Sequence, residues 1–448
     1  MRRPLVYVLV INWNGLEHLG ECFETLLGGT YGNARFLLID NGSTDGSVGF
    51  VRDRFGGDDR VEVLECGSNL GWAGGNNAGM KMALESGADY VFLLNNDTAT
   101  EPDAVEKLVE MAEPKPDAGA LAPKMLMYGC PDILNSVGLE CSIIASSWDL
   151  GLGRLDGERW NEPRQVIGVC GGAAFYRADA LRKVGLLPPD FGIYLDDLDL
   201  CLRIWNAGYE VWSCPGARVR HKFSATMGAG KNARRKYYLN TRNRARVILR
   251  HFPFRHWPRV KLLYAVGEAR AIGRALLDGE PWRAWAHVRS WGSAGAYLPR
   301  ALAWRVKRGT PPTTRAKKRG GGRPDRACRF WPLIRQDMMF FGGAPLPEDG
   351  WYEPRDVGGD TVRPMSRHAT YESGGGALRV RHVNCYPRLG ATRVEVMQQG
   401  LRLAVLETVG RDEAVIETAP GRVEFVSARV FEAEETGERI DIGGWIGL

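Results

Sequence analysis

Residues 90–97 of the chain read YVFLLNND, an unbroken apolar run followed directly by polar residues. An apolar run of this length is typical of a strand buried on both faces, as the strands of parallel sheets are. The pattern predicts a central strand from Tyr90 to Leu94 that ends in the triplet Asn95–Asp97. Side chains at the carboxyl end of such a strand face the crevice in which open α/β sheets bind their ligands.

Short β-rich runs alternate with helical patterns on both sides of this strand, over the first 125 residues. The alternation predicts a Rossmann-like α/β fold, in which helices cover both faces of a mostly parallel sheet. The predicted strands and helices are, in order, Leu5–Ile11, Leu16–Leu27, Ala34–Ile39, Ser47–Arg54, Val61–Glu65, Gly75–Glu85, the strand quoted above, Pro102–Met111 and Ala118–Ala122.

The 448 residues are enough for two or three domains. The α/β pattern indicates a first domain over residues 1–230. A basic region of helical character, interleaved with Trp, covers 231–310. The segment 311–340, which is rich in Pro, Gly, Lys and Arg, is typical of a linker. From residue 341 to 448, short alternating strands predict a small antiparallel β-sandwich as an accessory domain.

The charge of the chain is strongly uneven along its length. Residues 218–335 contain 30 Lys and Arg against 4 Asp and Glu, whereas the rest of the chain contains 29 against 49. We favour docking of residues 230–335 on anionic membrane lipid, because Arg, Lys and Trp together suit a membrane interface. The alternatives are folding against the acidic remainder of the chain and, last, nucleic-acid binding, for which no known binding motif is present.

Nine cysteines are scattered without a CxxC pair, which indicates reduced thiols rather than a disulfide framework. No apolar run reaches the roughly 18 residues of a transmembrane helix. These observations predict a cytoplasmic chain, peripheral to the inner face of the plasma membrane if the basic region docks there.

Two more polar turns follow predicted strands. Asp40 ends the second strand and can accept hydrogen bonds from a nucleoside. The stretch NLGWAGGNN at 69–77 carries glycines that let backbone amides approach a phosphate. Asp97 can hold a hard divalent cation, which prefers oxygen ligands. Each turn by itself is also ordinary turn chemistry, but three after successive strands favour a ligand site.

A second acidic cluster, Asp196, Asp197 and Asp199, opens a predicted helix. Acids there can simply stabilise the helix dipole, although a carboxylate so placed can also remove a proton from a hydroxyl. Arg203 follows Asp199 by four residues, which allows either a helix-surface ion pair or a phosphate contact. His221 lies between basic residues, which suits a diphosphate site better than a core position.

Taken in this order, the motifs resemble family 2 glycosyltransferases of the GT-A fold, most closely their rhamnosyltransferase-like branch. The resemblance runs from about Leu5 to about Arg246. It rests on the stretches VINWNG at 10–15, DNGSTDGS at 40–47, NLGWAGGNN at 69–77, LNND at 94–97, GGA at 171–173 and DDLDLCLR at 196–203.

The resemblance implies an enzyme that transfers a hexosyl group, with inversion, from a UDP-, dTDP- or GDP-linked sugar to a hydroxyl of a glycan or lipid-linked acceptor. The setting would be cell-envelope glycan or polysaccharide synthesis. Asp97 and His221 would hold Mg²⁺ or Mn²⁺, and Asp197 or Asp196 would act as the catalytic base. The implied nucleotide-sugar-binding residues are Asn12, Asn14, Asp40, Asn41, Asn69, Gly74, Asn76, Asn96 and Arg203.

Two departures from the family pattern matter. The metal triplet lacks its first acid, and Asp196-Asp197 stands where Glu-Asp is commoner, which leaves the choice of base open. The alternative is a non-catalytic nucleotide- or carbohydrate-binding scaffold on the same fold, against which the three acids argue. The enzyme hypothesis requires Asp97 and the Asp196–Asp197 pair, about a hundred positions apart, to converge on one crevice.

Overall fold

The structure is a computed structural model. It describes residues 3–128, 130–152, 156–222, 231–307 and 330–335, and, beyond these, residues 355–357, 360–365, 368–383, 392–399, 401–408, 411–427, 431–433, 438–440 and 444–447.

The first domain is built on a twisted sheet of nine strands with the order β3-β2-β1-β4-β10-β6-β11-β5, and β7 pairs with β6. Its strands are β1 Val6–Asn12, β2 Ala34–Asp40, β3 Val61–Glu65, β4 Tyr90–Asn95, β5 Thr98–Thr100, β6 Ala118–Met127, β7 Cys130–Ser136, β10 Ala173–Arg177 and β11 Glu210–His221; Leu139–Cys141 (β8) and Ser147–Asp149 (β9) form a separate pair. The helices are α1 Leu16–Leu27, α2 Ser47–Phe55, α3 Gly71–Glu85, α4 Ala104–Ala112, α5 Ala178–Val184 and α6 Asp196–Asn206.

The mostly parallel α/β sheet that the sequence predicts is confirmed. Strands β1 to β4 are parallel, as are β6 and β11, while β10 lies antiparallel between β4 and β6. Successive residues of a strand point to opposite faces of the sheet, so each central strand feeds two cores. Leu9 and Leu93 belong to one core, and Val8 and Phe92 to the other.

The strand register brings distant parts of the chain to one edge of the sheet. Asn12 lies opposite Asp40, and Ile11 lies opposite Asn95. Because β10 runs against its neighbours, the residues just before it, Gly171 and Gly172, lie at the same edge as the carboxyl ends of the parallel strands. The end of β11 arrives there too, where His221 pairs with Thr98.

Three long helices follow the α/β domain: α7 Lys231–His251, α8 Trp257–Leu277 and α9 Pro281–Lys307. The helical character predicted for 231–310 is confirmed over 231–307. Basic residues of α7 contact the first domain, since Arg246 and Arg250 pair with Asp190. This is the folding against acidic residues that the charge pattern offered as an alternative. Within the described residues, no helix is both long and apolar enough to cross a membrane.

Residues 330–335 belong to the core of the first domain. Phe330 and Ile334 are buried against it, and the backbone of Arg335 exchanges hydrogen bonds with Cys141 and Ile143. In the sequence analysis this segment is part of the predicted linker 311–340; in the structure it packs on the first domain. Burial of two large apolar side chains anchors a segment whose composition resembles a loop. The rest of the predicted linker lies outside the described residues.

The C-terminal part contains a seven-stranded antiparallel sheet with the order β12-β13-β20-β14-β17-β15-β16, and a ribbon of β18 and β19. The antiparallel architecture predicted for 341–448 is confirmed, as one large sheet and one small one. The strands are β12 Arg355–Val357, β13 Asp360–Met365, β14 His368–Val383, β15 Thr392–Gln398, β16 Leu401–Thr408, β17 Arg411–Ser427, β18 Phe431–Ala433, β19 Glu438–Ile440 and β20 Gly444–Gly447.

Candidate active site

Asp97 and His221 meet at the carboxyl edge of the sheet. Asp97 follows β4 and His221 ends β11, and Oδ1 of Asp97 lies 3.2 Å from Nε2 of His221. Both side chains are buried. Burial raises the pKa of Asp97, but the charge and hydrogen bond of His221 outweigh this effect, so the pKa of Asp97 lies below its ordinary value. The two residues that the resemblance assigns to the metal are therefore neighbours.

The other ring nitrogen of His221 is held by Asn135 of β7. Nδ1 lies 2.6 Å from the amide oxygen of Asn135, so the Nδ1–H donates to that oxygen. If a bound cation replaced the proton on Nε2, the Nε2 lone pair and the Asp97 carboxylate would both face that cation. Imidazole nitrogen and carboxylate oxygen are both common metal ligands, and a histidine whose other ring nitrogen is held by a hydrogen bond is typical of metal sites.

The ends of β1, β2 and β4 are tied together by side-chain amides. Asn96 Nδ2 donates to Asn12 Oδ1 over 2.6 Å, and Asn12 Nδ2 donates to Ser43 Oγ over 3.1 Å. Asn12 and Asn96 are buried. Asn14 is exposed and accepts a hydrogen bond from Thr44. This chain of bonds joins the carboxyl ends of β1 and β4 to the turn after β2.

Asp40 retains a free oxygen in this region. Its Oδ2 accepts from the amides of Gly42 and Ser43, whereas its Oδ1 is buried without a hydrogen-bond partner. A buried carboxylate oxygen without a partner is energetically unfavourable, so a donor supplied by a ligand would stabilise it. Among the predicted nucleoside contacts, Asp40 thus has an oxygen, Oδ1, that can accept a further hydrogen bond.

Asn41 and Asn69 join the β2 turn to the Gly-rich turn before α3. Asn41 Nδ2 donates to Asn69 Oδ1 over 3.2 Å, and Asn41 Oδ1 accepts from the amide of Leu70. Gly74 lies in the first turn of α3. Asn76 is fully buried and donates to the carbonyl of Trp72. These contacts shape the turn, and the burial of Asn76 sets it apart from the exposed members of the predicted set.

The acidic helix α6 begins after a strained backbone segment. Tyr194 and Leu195 both have positive φ angles, 69° and 60°, and this backbone conformation is energetically unfavourable for residues other than Gly. The segment delivers Asp196 to a buried position and leaves Asp197 partly exposed. Asp197 Oδ2 accepts from the amide of Gly171 over 3.1 Å, and its Oδ1 accepts from the amide of Leu198.

The two neighbouring acids have different pKa values. Desolvation raises the pKa of Asp197 to about 6, although hydrogen bonds from Leu198 and Gly171 oppose the shift. Desolvation, together with the charge of Asp197, raises the pKa of Asp196 well above its usual value. With a pKa of about 6, Asp197 is largely ionised at neutral pH, and it is the partly exposed acid of the pair, so Asp197 is the one that can accept a proton.

The turn at Gly171-Gly172 joins the acidic pair to the metal pair. Gly171 donates to Asp197, while the carbonyl of Gly172 accepts from the amide of Asn95. A β-carbon on Gly172 would lie 3.4 Å from the His221 ring, and one on Gly171 would lie 2.8 Å from the Trp72 indole. The structure thus brings the two acidic regions to one end of the sheet, as the enzyme hypothesis requires.

Helix α7 holds the strained segment from behind. The amide nitrogen of Asn243, which is fully buried, donates to the carbonyls of Phe191, Ile193 and Tyr194 at 2.9 to 3.0 Å. A side-chain amide that satisfies several carbonyls of an irregular loop stabilises its conformation. The basic helical region therefore supports the position of the catalytic candidates.

Arg203 lies in a buried ionic cluster around Asp199. Its Nε donates to Asp199, and its other nitrogens donate to the carbonyls of residues 184–186. Arg250 and His251 also contact Asp199. Burial raises the pKa of Asp199, but the surrounding cations outweigh it and hold the pKa far below its usual value. The ion pair weighed for Arg203 is present, in the core rather than on the surface, and its guanidinium donates hydrogen bonds to Asp199 and to backbone carbonyls.

Three residues of the site carry no local signal of their role. Trp72 was quoted only as part of a motif, yet its indole packs on Gly171 and donates to Asn95 Oδ1 over 3.2 Å. Asn135 and Asn243 lie 86 and about 50 residues from the groups they hold. Contacts of this kind depend on tertiary packing, so sequence spacing does not reveal them.

Part of the chain is similar to known glycosyltransferases. Residues 7–185 match the sequence profile described as Glycosyl transferase family 2. The chain is 27% identical over 242 residues, which cover 49% of this chain and 77% of the relative, to the N-acetylglucosaminyl-diphospho-decaprenol L-rhamnosyltransferase of Mycobacterium tuberculosis. It is 33% identical over 112 residues to glycosyltransferase GlyG of Streptococcus pneumoniae serotype 4, covering 25% of this chain and 36% of the relative.

Solved structures match at lower similarity. GalNAc-T7 with UDP, GalNAc and Mn²⁺ matches with a TM-score of 0.48 and 14% identity, over 68% of this chain and 58% of that one. Residues 1–349 of S. aureus TarS match with a TM-score of 0.44 and 15% identity, over 67% and 83%.

Proposed function

We propose that this chain transfers a hexosyl group, with inversion, from a nucleoside diphosphate sugar to a hydroxyl acceptor. The match of residues 7–185 to the family 2 glycosyltransferase profile and the similarity to a rhamnosyltransferase support this proposal. The observation that carries the proposal is the convergence of Asp197 with the Asp97–His221 pair across the Gly171-Gly172 turn.

Asp197 is the proposed base. The acceptor hydroxyl gives its proton to the Asp197 carboxylate while its oxygen forms a bond to the anomeric carbon. The bond from that carbon to the diphosphate breaks in the same step, and its electron pair leaves with the diphosphate. A single displacement of this kind inverts the anomeric configuration. The hydrogen bond from Gly171 orients the carboxylate towards the crevice.

Asp97 and His221 are the proposed protein ligands of Mg²⁺ or Mn²⁺. One carboxylate and one imidazole, completed by phosphate oxygens of the donor, suit such a cation. The convergence of Asp97 Oδ1 and His221 Nε2, with Nδ1–H donated to Asn135, fits this role. A bound cation would offset the charge that develops on the leaving diphosphate.

The nucleoside of the sugar donor is proposed to lie along the ends of β1 and β2. There Asp40 Oδ1 has no hydrogen-bond partner among the described residues, and Asn14 and Asn69 are exposed. The backbone of α3 near Gly74 offers amides to the diphosphate. Since the mycobacterial relative is named for a decaprenol-linked substrate, we propose a glycan or lipid-linked acceptor in cell-envelope glycan synthesis. A thermal-shift screen with UDP-, dTDP- and GDP-sugars and Mn²⁺ would identify the base of the donor.

The base is tested by Asp197→Asn. We expect transfer to fall by about a hundredfold or more, because the amide cannot accept the proton, while nucleoside diphosphate binding stays nearly unchanged. Release of nucleoside diphosphate from the donor, with an acceptor present, measures turnover. Asp179→Asn serves as the matched control, because Asp179 is exposed and lies in α5, which follows the opposite end of β10 from Gly171 and Gly172. Transfer by Asp197→Asn at a near wild-type rate would refute the assignment.

The metal site is tested by calorimetry of nucleoside diphosphate binding. We expect EDTA, and separately Asp97→Ala, to weaken binding by about tenfold or more when compared with the Mn²⁺-loaded protein. Adding Mn²⁺ back should restore binding to the EDTA-treated wild type but not to Asp97→Ala. Binding that neither treatment changes would remove the metal role.

A further inference from the structure

Helices α8 and α9 each turn an apolar face outwards. They are joined by a short turn at residues 278–280, and each buries its opposite face against the rest of the protein. In a helix on the surface of a protein in water, the outward face is normally charged or polar. The outward faces of these helices depart from that rule.

On α8, the outward positions recur at helical spacing. Leu262 and Leu276 have 64% and 57% of their surface exposed, and Ala265 and Ala269, which lie between them on the same face, are exposed as well. The opposite side of the helix contains the buried residues Val260 and Glu268. The exposed side thus forms an apolar stripe along the helix.

On α9 the outward face contains two tryptophans. Trp285 is 63% exposed and Trp291 is 45% exposed. The remaining exposed positions of this face are apolar or small: Val288, Gly292, Gly295, Ala296, Pro299, Leu302, Ala303 and Val306. Trp is enriched where proteins meet the headgroup level of a bilayer, because its ring is apolar and its N–H is polar.

Exposed basic residues accompany both stripes. They are Arg259, Lys261, Arg270, Arg274, Arg289 and Arg300, of which Arg274 pairs with Asp278. Between residues 257 and 307 the sequence has three acids, of which Glu268 is buried and Asp278 and Glu280 lie in the connecting turn. No acid therefore faces outwards along the two helices, and the stripes carry a positive rim.

We propose that the outward faces of α8 and α9 dock in the interface of an anionic lipid bilayer. The apolar stripes and tryptophans would enter the headgroup boundary, and the basic rim would contact lipid phosphates. Charge favours lipid over a second copy of the chain, because a symmetric dimer through these faces would bring two basic rims together. Docking rests on these surface residues and does not depend on the proposed transfer reaction.

The experiment is co-sedimentation of the full chain with vesicles of phosphatidylcholine alone and of phosphatidylcholine mixed with phosphatidylglycerol. We expect binding to the anionic vesicles only, and weaker binding as salt rises, because salt screens the basic rim. Leu276→Gln combined with Trp285→Gln should weaken binding by about tenfold or more, because two large apolar side chains no longer enter the interface.

The control is Leu401→Gln combined with Val415→Gln. These residues are 70% and 60% exposed on the C-terminal sheet, so they match the loss of exposed apolar surface, and we expect unchanged binding. Nucleoside diphosphate affinity, measured in parallel, should stay at the wild-type value in both variants and shows that they are folded.

Docking is overturned if the wild type fails to sediment with anionic vesicles, or if both double variants bind equally well. It is also overturned if light scattering shows a wild-type dimer that Leu276→Gln with Trp285→Gln separates while vesicle binding is absent. A wild-type protein that binds anionic vesicles but transfers no sugar would instead count against the proposed function alone.

Discussion

Asp196 and Asp197 are adjacent at the start of α6, and their surroundings separate their chemistry. Asp196 is buried, and its Oδ2 has no hydrogen-bond partner among the described residues. Asp197 is partly exposed and accepts two backbone hydrogen bonds. Helix geometry rotates successive side chains by about 100°, so one faces the core when its neighbour faces the site. The choice of base that the sequence left open thus favours Asp197.

The raised pKa of Asp197 predicts how the rate depends on pH. Only the ionised carboxylate accepts a proton, so turnover at saturating donor should fall about tenfold per pH unit below pH 6 and level off above it. The same raised pKa contributes stability below the pKa of the unfolded chain, and this contribution is lost as pH rises through about 6. A pH–rate profile measures the first effect.

A turnover profile that stays flat from pH 7 down to pH 5, with donor binding intact, would contradict the assignment of an essential group with this pKa. Asp179→Asn, far from the crevice, should reproduce the wild-type profile and provides the control.

At the scale of elements, α7 connects the basic helical region to the chemistry. The segment before α6 contains two consecutive residues in the left-handed region, and such a conformation persists only where its surroundings hold it. Asn243 supplies that restraint through the carbonyls of the segment. Helix α7, whose basic composition predicts a charged surface, therefore also supports the segment that positions Asp197.

Asn243→Ala should lower turnover by about tenfold, because the released segment lets Asp197 leave its productive position. Nucleoside diphosphate affinity should change little, since Asn243 contacts the strained segment before α6 rather than the strand ends. The measurement is the separate determination of turnover and donor KM. Asn240→Ala, on the same helix and partly exposed, is the matched control and should behave as the wild type. An equal loss in both variants would indicate a general effect on α7.

At the scale of the whole molecule, the segment 330–335 packs against a part of the protein that is distant in sequence. Residues 330–335 follow the three long helices, yet Phe330 and Ile334 pack into the core of the first domain beside the strand pair formed by β8 and β9. The first domain is thus completed by residues that come about a hundred positions after its last strand. The boundary at residue 230 consequently does not enclose all of its core.

Phe330→Ala should lower the free energy of unfolding by about 3 to 5 kcal/mol, because it removes a fully buried aromatic ring and leaves a cavity. Urea unfolding followed by fluorescence measures this change. Leu401→Ala, at a position that is 70% exposed, should change it by less than about 0.5 kcal/mol. A Phe330→Ala protein as stable as the wild type would show that the segment is not part of the core.

The sequence by itself determined the parts of this protein that depend on near neighbours. Apolar runs placed β1 to β4, polar turns placed Asp40 and Asp97 at strand ends, and helical spacing placed the start of α6, because periodicity and turn chemistry act over a few residues. Only the tertiary structure decided that β10 inserts antiparallel beside β4, that Asn135 orients His221, and that Arg203 is buried in an ionic cluster. These features join residues far apart in the chain, and packing rather than local pattern sets the distances between them.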